Sequence, residues 1–79
     1  MERQEIKKII DSDCATFMFY YNGKRCGAEF ETIDGKDVYQ LWNGSILISF
    51  SNIDELLDYK MFNGKNIVDA SRNSKIEIY

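Results

Sequence analysis

The chain has 79 residues, of which 44% are hydrophobic, 14% aromatic and 29% charged, with a formal net charge of −3 and neither histidine nor proline. That length suits one domain with a thin core, burying roughly 60% of the surface its unfolded chain exposes. The acidic balance argues against a nucleic-acid partner, and no apolar run approaches the roughly 20 residues that span a bilayer.

The N-terminal run Met1 to Lys8 is charged and lacks the apolar stretch of a secretion signal, so the expected location is cytoplasmic. Abundant Asn, Lys, Ile, Tyr and Phe without proline point to AT-rich coding DNA, as in a low-GC bacterium or one of its mobile elements.

Residues 2–11 read as a short helix, with Ile6, Ile9 and Ile10 on one face. Glu2 and Glu5 in the first turn and Lys7 and Lys8 in the last complement the helix dipole. From Cys14 to Phe50 the apolar period changes to two. Asn22-Gly23, Asp34-Gly35 and Asn43-Gly44 then read as hairpin turns, because Asn-Gly and Asp-Gly supply the positive φ angles of two-residue loops.

Each turn implies a register. The first puts Phe19 opposite Cys26 and Phe17 opposite Ala28; the second puts Phe30 opposite Tyr39 and Ala28 opposite Leu41. The third, centred on Asn43-Gly44, puts Leu41 opposite Ile46 and Tyr39 opposite Ile48. Asp34-Gly35-Lys36 is also compatible with a three-residue loop and a bulge. One face collects Ala15, Phe17, Phe19, Cys26, Ala28, Phe30, Tyr39, Leu41, Ile46, Ile48 and Phe50, and a one-residue slip at any turn would scatter that set. The pattern predicts strands near 14–21, 24–33, 37–42 and 45–50.

A helix follows over about 53–62, capped by Asn52 with Glu55 or by Ser51 with Asp54, with Ile53, Leu56, Leu57 and Met61 as its apolar stripe. Asn63-Gly64 then falls where a left-handed helix stop belongs. Residues 66–72 suit one helical turn, and Lys75 to Tyr79 alternates as a final strand whose partner is not readable. The expected fold is a single α+β domain. It is a two-layer sandwich of a four-stranded antiparallel meander, with a fifth strand possible, and both helices on the Phe17, Phe19 and Phe30 side.

Without histidine neither a Ser-His-Asp triad nor a Cys-His pair can form, and metal sites lose their commonest nitrogen ligand. Cys14 and Cys26 have opposite side-chain parity, which disfavours a disulfide or a shared metal; Cys26 reads as a core residue. No catalytic group, cofactor or metal set is expected, and the chain reads as a non-enzyme.

The outer sheet face is the one feature that core building leaves unexplained. The registers place Gly27 between Met18 and Trp42, with Tyr20, Val38 and Leu47 on the same side. A strand glycine beneath large neighbours is a packing device, but it does not account for five apolar groups on a wet face. Three covers are open: the C-terminal segment, a second copy in a homodimer, or a different protein.

The leading expectation is therefore a protein-interaction or regulatory module acting through Met18, Tyr20, Arg25, Val38, Trp42 and Leu47. The alternative is an acidic inhibitor of the antitoxin or immunity kind, using Glu29, Glu31, Asp34 and Asp37 to occupy a basic site on a partner. A sheet-surface RNA binder stacking bases on Tyr20 and Trp42 runs against the acidic balance.

Overall fold

Hairpin chemistry sets most of the architecture. In the computed structural model, which describes residues 1–79, the elements are α1 (Arg3–Lys7), β1 (Phe17–Tyr21), β2 (Lys24–Ile33), β3 (Lys36–Asn43), β4 (Ile46–Phe50), α2 (Ile53–Asp58), α3 (Ile67–Ala70) and β5 (Glu77–Ile78). The strands form one antiparallel sheet in the order β4-β3-β2-β1-β5, with helices and sheet enclosing a common core as an α+β sandwich. The final strand is thus the fifth of the sheet, added beside β1.

At the first two turns Asn22 and Gly23, and Asp34 and Gly35, all have positive φ, the type I′ geometry that matches the twist of the flanking strands. Both registers follow, with Phe19 opposite Cys26 and Phe30 opposite Tyr39.

The third turn differs from the sequence expectation. Asn43 stays in β3 opposite Ile46, so the central pair is Gly44-Ser45, and Leu41 faces Ile48 while Tyr39 faces Phe50. Only Gly44 has positive φ there, as in a type II′ turn. Asn43 is held in the strand by its side chain: Oδ1 accepts from Cys26 Sγ at 3.3 Å and Nδ2 donates to the Met61 carbonyl at 3.4 Å. The slip is two residues, so every side chain keeps its face.

Asn63-Gly64 is not a helix stop. α2 ends at Asp58, where Tyr59 turns extended (φ −67°, ψ 127°). Asn63 and Gly64 both have positive φ, and Phe62 and Lys65 exchange two main-chain hydrogen bonds of 3.0 Å. The dipeptide is the tip of a fourth, miniature hairpin. It turns Phe62 fully inward against Phe19 and Tyr21, with ring centroids 5.5 and 5.6 Å away.

The helices begin where side chains accept orphan amides. Asn52 Oδ1 accepts from the amides of Asp54 and Glu55, Asn66 Oδ1 accepts from Asp69, and Glu2 with Glu5 forms a capping box on α1. After α1 the chain winds on through Ser12 in a wider turn, with the Asp13 amide donating to the Lys8 carbonyl. Arg3 and Lys7 reach Asp54, tying α1 to α2, and Lys7 foremost holds the Asp54 carboxyl below its ordinary range.

The core is one cluster containing Phe17, Phe19, Cys26, Ala28, Tyr39 and Leu41 from the sheet, Ile6 and Ile10 from the N-terminal helix, and Leu56, Leu57, Phe62, Ile67 and Val68 above. Phe30 and Phe50 pack at its margin, whereas Ile46 reaches the edge of the sheet and is 56% exposed. Both cysteines are free; Cys14 is exposed, and burial pushes the Cys26 thiol up.

Tyr39 spans core and surface, its hydroxyl donating to Asp11 Oδ1 at 2.7 Å. That bond to a carboxylate, with burial, pushes the phenol up to about 12. Folding therefore favours the protonated phenol. The contribution is complete below the unfolded value near 10 and disappears as pH rises from there through the folded value. Tyr39→Phe is expected to cost about 1.5 kcal/mol at neutral pH, the scale of a hydrogen bond to a charged acceptor. Urea unfolding at stepped pH should show the gap between the two proteins narrowing above about pH 10.

Candidate functional site

Pairing across the sheet sets Glu77, Met18, Gly27, Trp42 and Leu47 in one row on the face turned away from the helices. Gly27 makes the row possible. A Cβ at this position would lie 2.2 Å from the Phe17 carbonyl oxygen and 2.6 Å from Trp42 Cζ2, so the indole lies directly on bare backbone. Trp42 is half-buried as a result. Met18 is 1% exposed, so it supports the site from below and does not present itself to a partner, a correction to its expected role.

Arg25 runs along this face from β2. Its Nε donates to Met18 Sδ at 2.7 Å, and the guanidinium forms no ion pair. Next to it lies an open hollow of about 430 Å³, with Trp42 and Leu47 on the β3–β4 side and Thr16 and Tyr79 on the β1–β5 side. Glu29 also lines it and accepts from the Thr16 hydroxyl at 3.2 Å. Gly44 and Ser45 close one end, the Gly44 amide donating to the Arg25 carbonyl at 2.9 Å. Tyr79 donates to Glu77 Oε2 at 2.7 Å, which holds its phenol above the ordinary value.

Of the six residues expected to form the surface, Arg25, Trp42 and Leu47 meet at the hollow. Tyr20 stands on the same face, more than half exposed, two residues from Met18 along β1. Val38 lies two alternations down β3 from Trp42 and lines a separate hollow of about 280 Å³ with Lys36, Asp37, Ser49 and Phe50. Thr16 and Tyr79 were not legible as site residues, because their place depends on β5 pairing with β1. The available signal was Tyr79's parity, opposite to that of Ile76 and Ile78.

The acidic set does not converge. Glu29 and Glu31 share the outer face, Asp34 sits in the second turn, and Asp37, opposite Thr32, points to the helical side. The C-terminal segment, one of the three expected covers, extends the sheet beside β1 and does not cross the outer face.

The site is thus a half-buried aromatic platform, open on the side of the hollow, next to one unpaired guanidinium, with the nearby carboxylate already held by a hydroxyl. Such an arrangement suits an apolar side chain accompanied by an anion. No helix is long and apolar enough to cross a membrane. No protein-family model matches the chain, and comparisons with curated proteins and with solved structures return no match.

Proposed function

We propose that this chain is a small non-catalytic interaction module of the cytoplasm that binds another protein through the outer face around Trp42. The observation that carries this reading is the half-buried indole, seated on Gly27 and open to the hollow, beside the unpaired Arg25 guanidinium. Tryptophan and arginine are the residue types that most often dominate binding energy, and here both are positioned by the fold before any partner arrives. Arg25 already rests on Met18, so less side-chain freedom is lost on binding. The complementary partner presents an apolar or aromatic side chain to Trp42 and Leu47, with a carboxylate within reach of Arg25.

Peptide display against the purified chain tests this. The selected peptides should pair an aromatic or large aliphatic residue with Asp or Glu. Because Trp42 is the only tryptophan, its fluorescence should change on titration with the selected peptide. Trp42→Ala and Arg25→Gln should each weaken binding at least tenfold without altering the circular dichroism spectrum, about 1.4 kcal/mol or more. Peptides without that pattern, or with affinity indifferent to both substitutions, overturn the reading.

A further inference from the structure

We infer that two copies of this chain pair through their β4 edges, antiparallel about a twofold axis, joining two five-stranded sheets into one. This second surface adjoins the hollow at Trp42 and shares Leu47 with it, but it rests on main-chain geometry and charge rather than on the indole. A two-residue turn makes its flanking residues a hydrogen-bonded pair, here Asn43 and Ile46, and alternation makes Leu41–Ile48 and Tyr39–Phe50 pairs of the same kind. The amides and carbonyls of Leu47 and Ser49 consequently point away from β3. No main-chain or side-chain partner within the chain takes them.

Edge strands are ordinarily protected by lysine, proline, a bulge or a covering element. β4 has none of these within its span. Residues 38–53 carry no charge at all, in a chain that is 29% charged, and β4 itself reads Ile-Leu-Ile-Ser-Phe. Ile46, Leu47 and Tyr59, three of the seven exposed large apolar side chains, lie along or beside this edge, and the Tyr59 ring packs on Phe50. The opposite edge of the sheet is a strand of only two residues.

These features select a second copy as the occupant. An antiparallel strand edge is its own complement under a twofold axis, so one surface supplies both halves of the interface. Two chains of net charge −3 repel across most orientations, and the uncharged edge is where they can approach without opposed carboxylates. Pairing centred on Ile48 uses the whole strand. Leu47 then exchanges hydrogen bonds with Ser49 of the second copy, and Ile46 lies opposite Phe50.

Sedimentation equilibrium from low to high micromolar concentration tests the inference. The native chain should approach twice its 9.2 kDa mass. Ser49→Pro removes an outward amide but no bond to β3, and Ile46→Lys places a charge on the edge away from the Trp42 hollow. Each should shift the chain to monomer with an unchanged circular dichroism spectrum, and if the proline variant unfolds, Ile46→Lys decides. Trp42→Ala should remain a dimer, which separates this interface from the proposed binding face. A native chain that is monomeric throughout overturns the inference. So does a dimer that Trp42→Ala dissociates while both edge variants leave it intact, or an open-ended polymer in place of a closed pair.

Discussion

Alanine at position 27 is expected to destabilise the domain by about 2–3 kcal/mol, the upper part of the range for overpacking a filled interior. Strand glycines ordinarily gain from a side chain, so the sign is the informative part. The added Cβ would meet two obstacles of different kinds. Trp42 Cζ2, 2.6 Å away, belongs to a side chain that can swing outward; the Phe17 carbonyl, 2.2 Å away, is fixed in the neighbouring strand. Combining Gly27→Ala with Trp42→Ala should therefore cost less than the sum of the two single changes, yet remain well above zero. Urea unfolding of the four proteins gives the coupling. A double variant as stable as Trp42→Ala alone would mean that the indole is the only obstacle and that the strands can relax.

Phe62→Ala should be the most damaging single truncation, at about 3–5 kcal/mol, the usual loss for a buried phenylalanine. A domain of this size has a total stability of about 4–12 kcal/mol, so this one change approaches the limit of folding. Phe62 is fully buried between Phe19 and Tyr21, whereas its neighbour Met61 lies only at the margin of the core. Met61→Ala should cost about 1 kcal/mol, in keeping with partial burial. Thermal unfolding of both variants measures the contrast. Equal losses would restore the stripe expected of a helix running to residue 62.

The four Asn-Gly and Asp-Gly dipeptides mark where local pattern decides the structure and where it does not. Asn22-Gly23 and Asp34-Gly35 were legible because the flanking residues alternate on both sides and only one two-residue loop keeps Phe17, Phe19 and Tyr39 on a common face. Asn43-Gly44 was ambiguous by nature. Gly44 can be the second residue of one turn type or the first of another, and side-chain bonds from Asn43 to Cys26 and Met61 select the latter. Asn63-Gly64 offers the same left-handed geometry to a helix end and to a hairpin. What distinguishes them is the burial of Phe62, a tertiary fact.

The candidate site divides along the same line. Gly27, Trp42 and Leu47 lie on strands joined by short turns, so their alignment followed from register. Tyr79 and Thr16 meet through main-chain bonds of 2.9 and 3.0 Å between segments far apart in the chain, which no local pattern encodes. Met18 was placed on the correct face, but its burial depends in part on how Arg25 lies against it, and alternation does not report that.

The β5–β1 joint has a kinetic consequence for the hollow. Closing a loop of roughly sixty residues carries an entropy cost that the two-residue turns elsewhere in the sheet avoid. The return is two paired positions, Phe17 with Ile78 and Met18 with Glu77, together with the Thr16–Tyr79 bonds. Segments with few contacts open at lower free energy than the whole domain. Each such opening carries Tyr79 away from the rim while Trp42, seated on β3 in the middle of the sheet, stays in place. The hollow therefore has one fixed wall and one that detaches, and a ligand gripping both would slow amide exchange at the C-terminal strand far more than anywhere else in the sheet.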